Sequence, residues 1–496
     1  MGTITKYYPF IDEASKSVLN SLMEDSDNYY AFVQRLCETV IDNKAPINLA
    51  YLAAVHAWWT RKLESMKLIR EKYIDVPSII PWGYPLTSAA SDQVEYHDNV
   101  IESIEKAIAQ SLERWMEIEL HLLHTNFHWP LVGDMLSYLE PLEKAEKLLE
   151  SNPSLKCFES LIYGFRGWSK SMETDFKDAL NYYQKGKELT QVYNDPLYRY
   201  MILLNEAITV SASNIQEAIV IYEELYNLAQ DLDVPYFIAE VLNDSSLSYE
   251  AAGEYDIAIS CHLETIKIWG GGDTPCLLLS RIYSKLGDGQ QALKWANKAF
   301  DFAGHLEFPQ LYLYKAWASV LLDRLEEAQS NLDTAHSLIL KSGHETRLGR
   351  YYLISGVLEF ARGDYLASQD FLEKSQEIFE RYPFGSNQTA ALLELARLEI
   401  AFDKKSPDNK RSISPGKWLC KLEKFSEEKE LLGVRMQAAL LKSVFYEIHG
   451  QLKDASAVLV DALQITDSPG VNTLRKKIGT RLKEIEQLIQ DGEMVS

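Results

Sequence analysis

Along this chain a small residue returns at the same point of a two-helix unit: Ala179, Ala218, Ala258, Ala292, Ala328, Ser368 and Ala455, with Tyr138 at the equivalent place. From 138 to 368 the anchors lie 41, 39, 40, 34, 36 and 40 residues apart, and the 87 residues from 368 to 455 leave room for two units. A period in this range marks units that each form one supersecondary element and bury their apolar face only by stacking on neighbours. Two amphipathic helices that cross closely need a minimal side chain at the crossing, and alanine or serine supplies it. The period predicts a helical solenoid.

The turns repeat too. Gly253-Glu-Tyr255, Gly363-Asp-Tyr365, Gly133-Asp-Met135, Gly287-Asp-Gly289 and Gly450-Gln-Leu452 each place glycine just past a helix, where the backbone turns left-handed. Gly167 and Gly356 fall where a first helix meets its partner, and Tyr249, Tyr283 and Tyr446 follow that contact. This arrangement resembles the tetratricopeptide repeat (TPR) family, most clearly over 242–265, 276–299, 352–375 and 439–462. Elsewhere the pattern departs: Glu206 stands at the crossing of the unit anchored by Ala218, Tyr138 replaces alanine, and 415–432 has no alanine. The resemblance implies an all-α, right-handed TPR-like superhelical solenoid of about eight helix pairs, with an N-terminal helical bundle.

Residues 1–75 read as that bundle, with helices over 10–24, 27–43 and 46–74, the last carrying the apolar run from Leu49 to Trp59. Pro77, Pro81 and Pro85 then exclude a continuous helix, so 76–92 reads as a proline-rich linker. In it Trp82 and Tyr84 are either exposed docking aromatics or packed on a neighbouring helix. Apolar residues at helical spacing from 93 to 129 begin the array, which continues to 467 past a basic loop containing Lys404, Lys405, Lys410 and Arg411. Residues 468–496 read as a capping helix and tail, with Leu474, Ile478, Leu482, Ile485 and Leu488 on one face.

Composition removes other classes. With 72 acidic against 50 basic residues the net charge is −22, which opposes nonspecific nucleic-acid binding. Apolar runs long enough for a membrane span are absent, and Lys6 stands where a myristoylation signal needs Ser or Thr. Five scattered cysteines without a C-x-x-C pair suggest neither a disulfide framework nor a zinc knuckle. A soluble cytoplasmic protein is expected, with no nucleic-acid or membrane partner; its oligomeric state is open.

Catalytic signatures are sparse. Glu117, His121, His124 and His128 share one helix face, but three imidazoles on one helix span about 10 Å, too far for a single ion. They are read as surface or partner-facing, with no metal and no cofactor. Gly270-Gly-Gly-Asp273 lacks the Lys-Ser/Thr of a P-loop and reads as a connector, and no nucleophile elbow or zinc-protease motif occurs. The expected class is a non-enzymatic scaffold or adaptor for a protein or peptide.

In the resembling family the first helix of each unit lines the concave groove. Carrying over those offsets selects Asn243, Arg281, Tyr314, Trp317 and Arg350, with Asp244 and Lys285 alongside. No unit shows the Lys-x3-Asn pair of chaperone-binding members followed by their Asn in the next unit and Lys with Arg four apart in a third. Two rival readings stand: a peptide-responsive regulator similar to bacterial peptide-pheromone receptors, whose peptide-holding asparagines Asn243 resembles, and a metal-dependent helical enzyme centred on His121, His124 and His128.

Overall fold

The computed structural model describes residues 6–7, 9–43, 45–84, 94–110, 113–128, 135–304, 308–342, 345–381, 386–405 and 416–495. Among them are twenty-four α-helices and no strand. In chain order these are α1 (Glu13–Glu24), α2 (Tyr29–Asp42), α3 (Ile47–Trp59), α4 (Leu63–Lys72), α5 (Val94–Ala109), α6 (Arg114–His128), α7 (Met135–Ser151) and α8 (Glu159–Met172). There follow α9 (Phe176–Val192), α10 (Pro196–Ser211), α11 (Ile215–Leu232), α12 (Pro235–Ala252), α13 (Tyr255–Trp269), α14 (Asp273–Lys285), α15 (Gly289–Ala303) and α16 (Pro309–Leu321). The last are α17 (Leu325–Ser342), α18 (Glu345–Arg362), α19 (Tyr365–Arg381), α20 (Ser386–Lys405), α21 (Lys417–Glu428), α22 (Leu432–Ile448), α23 (Leu452–Leu463) and α24 (Asn472–Val495). The chain divides into two compact units: unit 1 is 1–209 with 221–241, and unit 2 is 210–220 with 242–496.

In unit 1, α1 and α2 start on side-chain caps, Asp12 accepting from the Ser15 amide and Asn28 from the Ala31 amide. Helix α3 is apolar on every side, and all its residues from Leu49 to Trp59 are buried. The helix expected over 46–74 is two helices. It breaks at Arg61, which takes φ +55°, with the Lys62 amide bonded to the Ala57 carbonyl at 3.0 Å and the Arg61 guanidinium 4.4 Å from the Trp58 ring. The start of the expected linker is packed structure. Residues Ile80–Gly83 form a 3₁₀ turn whose Trp82 is buried edge-on against Tyr51 and Trp58, because an all-round apolar α3 needs cover. Residues 85–92 of that stretch lie outside the described residues.

The repeat anchors are where close crossing requires them. Ala179, Ala218, Ala258, Ala292, Ala328, Ser368 and Ala455 have no exposed surface, and Tyr138 is buried. The Ser368 hydroxyl donates to the Gly356 carbonyl at 2.8 Å, and a Cβ on Gly356 would lie 2.6 Å from Leu372. Gly253, Gly287, Gly363 and Gly450 all hold positive φ at hairpin turns, as expected; the Gly133 turn lies outside the described residues. Thr174, Asp323 and Glu430 hold the same conformation at turns without glycine.

Unit 2 closes on itself. The apolar face of α24 (Leu474, Ile478, Ile485) shares one cluster with Leu459 and Ala462 of α23, but also with Tyr255 and Ala258 of α13 and Ile282 of α14. Polar contacts follow the same seam: the Thr473 amide and hydroxyl both donate to Asp256 (2.9 and 2.6 Å), the Ser468 hydroxyl to Glu254 (2.6 Å), and the Lys477 ammonium to the Leu286 carbonyl (2.6 Å). Tyr255 donates to Gln437 at 3.3 Å, and a Cβ on Gly253 would lie 2.6 Å from the Gly433 carbonyl carbon. The C-terminal helix covers the last hairpin, but it does not end an open array. It bridges the last hairpin to the first, since Tyr255 and Ile282 present apolar surface that would otherwise be exposed. No described helix is long and apolar enough to cross a membrane.

Candidate ligand site on the first helices of unit 2

The first helices of successive hairpins, α14, α16, α18, α20 and α22, pack each on the next, whereas no comparable packing joins successive second helices among the described residues. That difference is what the inside and outside of a curve produce. The first helices therefore form an inner row, and the polar side chains they aim inward define the site.

Its centre is Glu250, in the last turn of α12. Arg281 of α14 grips it as a fork, Nε donating to Oε1 at 2.9 Å and Nη2 to Oε2, and Lys285, one turn later, places its ammonium 2.7 Å from Oε1. The other end of Arg281 reaches the Tyr314 hydroxyl of α16 at 3.4 Å. Arg281 is 4 % exposed, Lys285 7 % and Tyr314 3 %. Half-buried Arg350 of α18 has no ion-pair partner among the described residues, and its Nε is buried without a hydrogen bond.

Three basic side chains face one carboxylate here, and the ionisation of each group is set by that arrangement. Burial pushes the Glu250 carboxyl up, but Arg281 and Lys285 overcome this and hold it at about 2. Burial, and then the charges of Arg281 and Arg350, bring the Lys285 ammonium down to about 8 although Glu250 opposes them. Burial acts to raise the Tyr314 phenol, yet Arg350 and Arg281 outweigh it, so its pKa lies below the ordinary value. Glu250 thus balances one of three cations.

Asn243 stands two turns before Glu250 on the same face of α12. Its amide nitrogen donates to Asp244 at 3.1 Å, while its buried Oδ1 has no partner. Behind it the Ser246 hydroxyl lies 2.9 Å from Nε2 of His262, whose imidazole burial depresses to about 3 and so keeps neutral. The structure therefore brings together Arg281, Lys285, Tyr314 and Arg350 and sets Asn243 and Asp244 along the same row. It corrects the expectation that Arg281 and Lys285 are open groove residues, because each is consumed by Glu250. Trp317 faces the hydrophobic core with Ala328 and Leu332, where stacking hairpins need bulk. Glu250 was not among the expected residues; its signal was a carboxylate about one repeat ahead of two basic residues a helical turn apart.

No protein-family model and no curated protein sequence matches this chain. Solved structures do resemble it. The apo quorum sensor NprR from B. thuringiensis is 16% identical with a TM-score of 0.45, over 68% of this chain and 97% of that one. A Rap protein complexed with competence and sporulation factor is 14% identical with a TM-score of 0.38, over 76% and 98%. Yeast Tom70 is 11% identical with a TM-score of 0.33, over 96% of each chain.

Unit 1 holds a second buried polar cluster. The Lys6 ammonium lies 2.9 Å from Asp195 and 3.2 Å from the centre of the Tyr198 ring, with both ion-pair side chains fully buried. Tyr7 and Tyr198 each donate to Oε1 of Glu119, at 2.6 and 2.8 Å, and burial raises the Glu119 carboxyl. These bonds tie the first described residues into α6 and α10. The expectation that His121 and His124 are surface or partner-facing is overturned: both are buried, and burial depresses His121 to about 4. The side chain of His128 lies outside the described residues. Among the described residues no group of three His, Cys, Asp or Glu side chains is arranged to hold a metal ion.

Proposed function

We propose that unit 2 is a non-enzymatic binding module that takes a peptide or protein segment along its inner row of first helices. The observation that carries this reading is the polar line Asn243, Arg281, Tyr314, Arg350 across α12, α14, α16 and α18, which keeps an unpartnered acceptor at Asn243 and an unpartnered donor at Arg350. An extended peptide offers an amide donor and a carbonyl acceptor at every residue, so it meets both. None of the five cysteines is in a disulfide and four are buried, which suits the reducing cytoplasm we propose as the compartment.

The test is selection of a random-sequence peptide library on the full chain, followed by hydrogen exchange with a selected peptide bound. Slowed exchange on α12, α14, α16 and α18 is expected. Protection confined to second helices, or a library that yields no binder, would overturn the assignment.

A further inference from the structure

We propose that the segment bound by unit 2 is acidic, and that one of its carboxylates is received by Arg350 beside the Arg281–Tyr314 pair. This rests on the peptide-binding reading and names the chemistry of its ligand.

Three cations converge on this part of the inner row, and among the described residues Glu250 is paired with two of them. Arg281 and Lys285 are already paired with it. Arg350 is the group left over: no carboxylate among the described residues pairs with it, and its Nε is desolvated without an acceptor. A buried donor without an acceptor is costly, and a guanidinium is built to receive two oxygens of one carboxylate in its plane. The surrounding field has the same sign, since Arg350 and Arg281 together favour the negative form of the buried Tyr314 phenol. The contrast with the rest of the chain sharpens the point. A protein of net charge −22 repels acidic ligands over most of its surface, so a cationic cluster in it selects where such a ligand binds as well as how tightly it stays. Further along the row, Arg397 of α20 differs from Arg350 in having a carboxylate of its own, Glu394 at 2.5 Å. Asn243 lies two turns of α12 away from Glu250, about 10 Å by helical rise, which suits a peptide whose backbone meets Asn243 and whose carboxylate meets Arg350.

The same library is selected on the full chain and on Arg350→Gln, with the melting temperature of each recorded. Binders from the unaltered chain are expected to be enriched in Asp and Glu. A selected acidic peptide should lose about ten- to a hundredfold in affinity on Arg350→Gln, with little change in melting temperature, and Arg350→Lys should recover part of it. Synthesis of that peptide with Asn and Gln in place of Asp and Glu, and separately with an amidated C-terminus, distinguishes a side-chain from a terminal carboxylate. Binders without acidic enrichment, or affinity unchanged by Arg350→Gln, would overturn the carboxylate assignment while leaving peptide binding in place. The absence of any binder would overturn both.

Discussion

Glu250 holds two buried cations on one carboxylate, so its loss is felt as repulsion in a dry place rather than as one missing bond. Glu250→Gln is expected to destabilise unit 2 by about 3 to 5 kcal/mol, read from denaturant unfolding, because it leaves Arg281 and Lys285 uncompensated. An unchanged midpoint would count against the pairing. The pH dependence has a definite sign. The folded carboxyl sits at about 2 against an ordinary value of 4.5, so its contribution is complete above pH 4.5 and is lost as the pH falls towards 2. Unfolding followed across that window should show a steeper loss for the unaltered chain than for Glu250→Gln. The same geometry changes what charge reversal at Arg281 would do: Arg281→Glu would set two carboxylates together below the surface and damage the fold. Repeat offset selects Arg281, Tyr314 and Arg350, with Lys285 alongside, but offset alone says nothing about what faces a side chain from the preceding helix. Glu250, the partner that decides their state, left only its spacing one repeat ahead of Arg281 and Lys285 as a signal, and that spacing acquires meaning once α12 and α14 are side by side.

Between neighbouring helices, two glycines in the same conformation serve different purposes. Gly363 has φ +83° with open space where a Cβ would stand, and Gly253 has φ +79° with the backbone of Gly433 and Val434 in that space. Gly363→Ala is expected to cost about 1 to 2 kcal/mol, from backbone conformation alone. Gly253→Ala should cost clearly more, because it also separates the α12 and α22 ends, and equal melting temperatures for the two variants would contradict the seam. The helix pairs themselves were legible in the sequence, since Ala258, Ala292, Ala328 and Ser368 announce each crossing by their size. Turns at Thr174, Asp323 and Glu430 were hidden, because the left-handed conformation there is imposed by the two helices each turn joins and is held without the residue that usually signals it. The break at Arg61 was hidden for a related reason: the apolar spacing continues across it, and only the backbone reversal ends α3.

Taken as a whole, unit 2 behaves differently from a stack with two free ends. In an open array each hairpin touches only its neighbours, and removing the final helix loosens the final hairpin. Here α24 also packs on α13 and α14, more than two hundred residues away for the Thr473–Asp256 bond. Deleting residues 468–496 is therefore expected to speed amide exchange in 255–285 as well as in 452–463, measured by hydrogen exchange, while unit 1 keeps its protection. Acceleration confined to 452–463 would mean that the seam contributes nothing. No local pattern in the chain revealed this closure, because a capping helix and a bridging helix need the same apolar face, and which surface the second side meets depends on how far the hairpins have curved. The seam also bears on the idea of a regulator that tightens its curvature around a ligand: a joined circuit resists such bending until the Tyr255–Gln437 and Glu254–Ser468 contacts part.

Closure has a genealogical consequence. Linear tandem proteins lengthen and shorten readily, since duplicating or deleting one copy leaves every remaining junction intact. A circuit sealed at Gly253–Gly433 has room for a fixed number of copies, so descendants that gain or lose one must rebuild the joint, and kin of this protein should vary in the sequence of their hairpins far more than in how many they possess.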